Sequence, residues 1–224
     1  MSGSREQILG RIRSGLTQAA GPLREAPEAL EKRTLDHPRG IRPSRVDKDE
    51  AGLVELFVQR AEKVNATVAR IASLDDIPDA MAAYLANENL PAAFRMADNP
   101  DLNAVPWDKR PALEITKGAS DGKDEVGLSR AVGGVAETGT LILASGKESP
   151  TSLNFLPETH VVMVKRSEIA GTYEDGWDAV RAQGALSRAV NFITGPSRTG
   201  DIEQTIYLGA HGPRRLHILL VEDA

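Results

Sequence analysis

Two short stretches of this chain concentrate residue types that can do chemistry. In "GPSRTGD", residues 195–201, Ser197, Arg198, Thr199 and Asp201 crowd into a turn behind the β-branched run "AVNFIT". Hydroxyl groups donate hydrogen bonds, and a guanidinium grips a carboxylate or phosphate through two parallel bonds. The residues from Asp201 onward are read as a helix, whose free amide groups and dipole would add to an anion site. A turn behind a strand is also where open α/β sheets hold ligands. The same residues make an ordinary helix start, with Thr199 or Gly200 as cap and Asp201 and Glu203 facing the dipole. Those two acids would repel an anion in the first turn, and both readings stand.

The second stretch is "GGVAETGTLILAS", residues 133–145. Glu137 sits among glycines and small residues that allow close backbone approach by a ligand. A carboxylate there can act as nucleophile or general base. It can equally cap a short helix, with Thr138 and Gly139 turning the chain into the strand "TLILA". Lys147, beyond that strand, can add positive charge to the same cleft as Arg198. His160 opens an apolar strand and reads as a satisfied core or edge histidine. Ser197 and His211 flank the expected helix, whose eight or so residues would hold them about 12 Å apart. A serine–histidine dyad is therefore not expected.

Other chemistries lack their motifs. There is no G-x-G-x-x-G, no P-loop, no H-E-x-x-H and no G-x-S-x-G, and the four histidines lack metal-ligand spacing. With no cysteine, the chain can form no disulfide, thiolate nucleophile or cysteine-ligated cluster of its own. The expectation is no metal and no cofactor in this chain. A net charge of −5 offers no basic excess for nucleic-acid phosphates. No run approaches the roughly 20 apolar residues of a membrane-spanning helix, and the N-terminus lacks a signal peptide's apolar core. A cytoplasmic protein is expected.

The elements that must position these residues follow from periodicity. Residues 1–48 read as a helical arm and linker: Ser4 and Gln7 form a capping box, Ile8, Leu9, Ile12 and Leu16 share one helical face, and four prolines interrupt the rest. Residues 49–224 read as an α/β domain in which helices alternate with strands. "THVVMVKR" is apolar enough for a strand buried on both faces. Aromatic residues are only 4% of the chain, so aliphatic side chains must fill the core. The alternation predicts a mostly parallel sheet covered by helices on both faces.

"GVAETGTLILASG", "NFLPETHVVMV" and "ITGPSRTGDIEQTIYLGAHGP", in this order, resemble the LUD domain family of lactate utilization protein C and its relatives. The likeness runs from about Ala51 to the C-terminus. It implies the three-layer α/β fold shared by glucosamine-phosphate deaminases, ribose-phosphate isomerases and class I CoA transferases. It also implies a part in bacterial oxidation of L-lactate to pyruvate, beside partner proteins that carry the iron–sulfur clusters. A small carboxylate would suit Ser197, Arg198, Thr199 and Asp201. The alternative is an independent isomerase, deaminase or CoA transferase with Glu137 as base or nucleophile. Thr138, where CoA transferases of that fold have asparagine, departs from that pattern.

Overall fold

The computed structural model describes residues 3–19, 26–202, 205–209 and 211–222. It divides into two units, Met1–Ile41 and Arg42–Ala224. The first holds α1 (Gly3–Ala19) and α2 (Pro27–Asp36), the latter with proline in its first turn, where a missing N–H costs nothing. The apolar residues Ile8, Leu9, Ile12 and Leu16 of α1 are exposed. The division falls ahead of residue 48 because Arg42 and Val46 already belong to the second unit. Arg42 pairs with Asp175 at 3.1 Å, and Val46 is completely buried.

In the second unit, α3 (Glu50–Lys63) begins at Asp49, whose carboxylate accepts the Gly52 amide. Then come β1 (Thr67–Ile71), α4 (Ile77–Asn87), β2 (Ala93–Met96), α5 (Pro100–Asn103), β3 (Glu114–Lys117) and β4 (Val126–Arg130). The chain continues through β5 (Gly133–Val135), β6 (Thr140–Ala144), α6 (Thr151–Phe155), β7 (Thr159–Lys165) and β8 (Ile169–Ala170). It ends with α7 (Tyr173–Ala182), β9 (Val190–Ile193), β10 (Arg198–Ile202), β11 (Thr205–Leu208) and β12 (Arg215–Val221).

Six strands form a wholly parallel sheet in the order β1-β12-β7-β4-β2-β3. The central strands β7 and β12 are buried on both faces, as their unbroken apolar runs require. Alternation sends Val161 and Met163 of β7 to one core, with α4 residues Met81 and Leu85. Val162 and Val164 go to the other, with Phe57 of α3 and Leu141 and Leu143 of β6. The expected mostly parallel α/β architecture is therefore present.

The second face carries more than a helix. Over it lies a small mixed sheet in the order β8-β5-β6-β9, whose outer side packs Ile142, Val135 and Phe192 against α7 residues Val180 and Trp177. The short helix expected around Glu137 is absent, and β5 and β6 form a tight hairpin instead. Its glycines explain why. A Cβ on Gly134 would lie 2.8 Å from the Phe57 ring, and one on Gly139 (φ +69°) would lie 2.2 Å from the Ala61 amide nitrogen. Only glycine lets this hairpin sit so close on α3.

The helix expected from Asp201 is also absent. Residues 198–202 are β10, paired antiparallel with β11 through Arg198↔Leu208 and Thr199↔Tyr207. Thr199, Ile202, Thr205, Ile206 and Tyr207 are β-formers, and pairing across the hairpin outweighs the acidic residues that suggested a helix start. Beyond β11, Gly209 takes φ +77° and its amide bonds to the Ser197 carbonyl at 2.9 Å, closing the hairpin's base.

Candidate functional site

Two clefts lie at opposite ends of the parallel sheet. The first, about 290 Å³, opens where β7 and β12 begin and β9 ends. His160 and Leu216, adjacent in register, form its floor, and Phe192 and Ile193 one wall. Asn154 and Phe155 of α6 and the segments around Gly195–Arg198 and His211–Pro213 complete it. Replacing the expected helix by a hairpin has a direct consequence here. Ser197 and His211, held apart in the helical reading, line one cleft. A Cβ added to Gly212 would lie 3.4 Å from that of Ser197.

The anion argument changes with it. Among the described residues no helix begins at this turn, so no helix N-terminus favours an anion there. Thr199 is buried and does not line this cleft, and the Asp201 side chain lies outside the described residues. What remains is Arg198 and the Ser197 hydroxyl in a lining without a single acidic side chain among the described residues. Arg198 spends one N–H on the Val64 carbonyl at 2.8 Å, at the C-terminal end of α3. A guanidinium has five donors, so four remain for other partners. Gly195 (φ +75°) brings the loop against that same carbonyl, which anchors the turn and Arg198 together.

His160 is the residue that sequence reasoning undervalued. It is buried, its Nε2 lies 3.0 Å from Ser129 Oγ, and that hydroxyl donates to Asn154 Oδ1 at 2.9 Å. Its Nδ1 has no partner among the described residues. Burial alone pushes its pKa down to about 3, so the ring is neutral at physiological pH. Nothing in "ETHVV" distinguishes a half-satisfied histidine from a satisfied one, because Ser129 and Asn154 are distant in sequence.

Glu137 lies at the β5–β6 turn and lines neither cleft. It forms an ion pair with Arg45, and its amide bonds to the Gly171 carbonyl at 3.1 Å. The neighbouring hydroxyls run toward the first cleft without lining it. Thr138, Tyr173, Thr140 and Thr194 form a continuous chain with contacts of 2.6–3.0 Å, ending beside Gly195. The turn thus braces the cleft's rim.

The second cleft, about 460 Å³, opens at the C-terminal ends of the parallel strands. From β2 the chain departs over one face, and from β4 over the other, so the crevice between them is a topological switch point. Asn99 and Asp101 after β2 and Arg130–Val132 at the end of β4 line it, with Glu168 and the loop 145–149. Lys147 belongs here and not with Arg198. Arg130 is only 9% exposed and meets Asp101 at 2.9 Å, Glu168 and its own neighbour's carbonyl, while Lys165 reaches Asp101 at 3.3 Å. Burial works against the charge on Asp101, yet bonds to Arg130 and the nearby Lys165 hold its carboxyl below the ordinary range. Among the described residues, no group of three histidine or acidic side chains is placed to hold a metal ion.

The LUD domain profile matches residues 54–221, most of the second unit. The chain belongs to the LUD domain family. A relative from Bacillus licheniformis named lactate utilization protein C is 26% identical, over 84% of this LUD chain and 76% of that protein. One of the same name from Bacillus subtilis is 34% identical over 52% of this chain, and the match spans half of that protein's length. The crystal structure of a DUF162 family protein from Deinococcus radiodurans superposes with a TM-score of 0.61, covering 78% of this chain and 99% of that one. At 23% identity, this last likeness concerns the fold.

Proposed function

We propose that this LUD domain works in bacterial L-lactate utilization as the subunit without a cluster, oxidising L-lactate to pyruvate together with iron–sulfur partner proteins. The observation that carries the reading is the family match over residues 54–221, with relatives named lactate utilization protein C. The chain has no cysteine, so the two electrons released by each lactate would pass to thiolate-ligated clusters in its partners. Its contribution is the first cleft, where Arg198 and Ser197 bind the small carboxylate in a lining without acidic side chains among the described residues. The absence of any helix among the described residues long and apolar enough to cross a membrane accords with assembly among such partners in the cytoplasm.

The test is anaerobic purification of the tagged chain from its native cells. Iron-containing partners should co-purify, and lactate-dependent dye reduction should disappear when this chain is removed. An iron-free protein whose removal leaves lactate oxidation unchanged would reject the reading.

A further inference from the structure

The N-terminal unit carries an uncovered apolar face. Every described side chain of α1 and α2 is exposed, and Ile8, Ile12 and Leu16 of α1 are each more than half exposed. With Leu9 they form one stripe at helical spacing, which Arg5 precedes and Arg11 and Arg13 flank. Residues 1–41 hold seven Lys and Arg against five Asp and Glu, so of the chain's net −5 residues 42–224 carry −7. The second unit has an apolar groove of about 240 Å³ between α4 and the segment leading into β3. Ala82, Leu85, Ala86, Leu90, Ala112 and Leu113 line it, so its walls are short side chains that leave room for larger ones. Arg110 also lines the groove and is balanced by Asp79 at 2.6 Å. The stretch 72–94, which supplies α4, holds Asp75, Asp76, Asp79 and Glu88 and no lysine or arginine.

We infer that α1 of one copy docks in the α4 groove of a second copy, with Ile8 and Ile12 entering the groove and the arginines meeting the acidic flank of α4. The exchange is reciprocal and gives a closed two-fold dimer. Ile8 and Ile12 lie one helical turn apart, so they enter the groove side by side. The chain joins the second unit at Arg42, which pairs with Asp175 of α7 on the face that carries the small mixed sheet. The groove lies with α4 on the opposite face, where a second copy offers it without the linker turning round the sheet edge. Two α1 helices packed stripe to stripe would bring arginines against arginines. An anionic lipid surface would attract α1 but repel the acidic second unit. Large aliphatic side chains beside positive charge therefore find their match in an alanine-rich groove beside negative charge.

The chain has no cysteine, so single substitutions to cysteine report contacts without background. Full-length Ile12→Cys and Ala86→Cys chains with different tags are mixed and oxidised, with Ile8→Cys run in parallel. A disulfide between the two tags is expected, and it can form only between copies. Light scattering of the wild type should give the mass of two chains. Ile8→Asp with Ile12→Asp should weaken the dimer about a hundredfold or more, because the reciprocal contact is lost twice. Neither residue is buried, so this variant leaves the fold intact. A wild type with the mass of one chain overturns the inference, as does a dimer that survives the two aspartates. Ile12→Cys chains that link to one another and not to Ala86→Cys would assign α1 to a second α1. A doubly substituted chain that closes on itself would place α1 in its own groove. Binding of the wild type to phosphatidylglycerol–phosphatidylcholine vesicles without dimerisation would make the stripe a lipid anchor. Each of these three results rejects the exchange between copies.

Discussion

The two clefts differ in how the protein pairs the charged groups that line them. At the C-terminal end of the sheet the crevice is larger and richer in charge, yet its buried guanidinium is enclosed by Asp101, Glu168 and a backbone carbonyl. At the N-terminal end the cleft is smaller and its one guanidinium, Arg198, meets a backbone carbonyl and no carboxylate among the described residues. Each cleft has one lining residue with an unmet buried polar atom, Ser149 Oγ and His160 Nδ1. By position alone the crevice at the switch point would be the preferred ligand site. By charge pairing the smaller cleft has more to offer an anion, since Arg130 is held by two carboxylates and Arg198 by none among the described residues. A cluster of charges can be scaffold, and a guanidinium without a carboxylate partner can be a better sign of recognition.

The largest effect should come from the scaffold. Arg130→Met strands Asp101 and Glu168 in a partly buried site and should cost about 3–5 kcal/mol in urea unfolding, since removing one member of a buried charge network leaves the others uncompensated. Carboxylate binding at the other end should be unchanged in whatever fraction stays folded. A loss of carboxylate binding would mean that the two ends are coupled. Arg198→Ala should do the reverse, weakening lactate or propionate about ten- to a hundredfold by calorimetry while shifting unfolding by roughly 0.5 kcal/mol or less. A large stability loss with binding intact would make Arg198 only a clamp on the end of α3.

Acid should separate the two regions by pH. His160 is depressed to about 3 and His217, on the opposite sheet face, to about 4, both by burial. As pH falls below about 6.5 the unfolded chain takes up protons that these folded rings refuse. Their stabilisation, complete above that pH, should decline by about 1.4 kcal/mol per unit for each histidine until the folded values are reached. Asp101 has the opposite sign of dependence on charge: its contribution persists above the ordinary carboxylate pKa and is lost only at lower pH. Urea midpoints at pH 7.5 and 5.5 should therefore fall for the wild type and fall less for His160→Gln. Arg130→Met should retain the wild-type slope. Glu137→Gln should give the smallest effect, about 0–1 kcal/mol from its half-exposed Arg45 pair, with no change in carboxylate affinity. Loss of activity in this variant at unchanged stability would restore Glu137 as a chemical residue.

Much of the fold was legible because the pattern was local. The buried runs of β7 and β12, the Pro78-initiated α4 and the β-branched segments that became β1 and β9 each carry their signal within a few residues. The hairpin at 198–208 was misread as a helix because Asp201 and Glu203 imitate a helix start, whereas strand pairing is a property of two segments together. Of the site, Ser197 and Arg198 were found in sequence and do share a cleft, but their neighbour Thr199 points elsewhere.

By itself, the sequence determined the α/β class, the absence of any thiol chemistry in this chain, and the family, through composition, periodicity and motif order. The tertiary structure decided which polar groups meet. Ser129, Asn154 and His160 come from three separate elements, and their hydrogen bonds depend on parallel register between β4 and β7. Register is a long-range property, set by how whole strands bury their faces. Whether a ring nitrogen of His160 is met or unmet is therefore written in no single stretch of the chain.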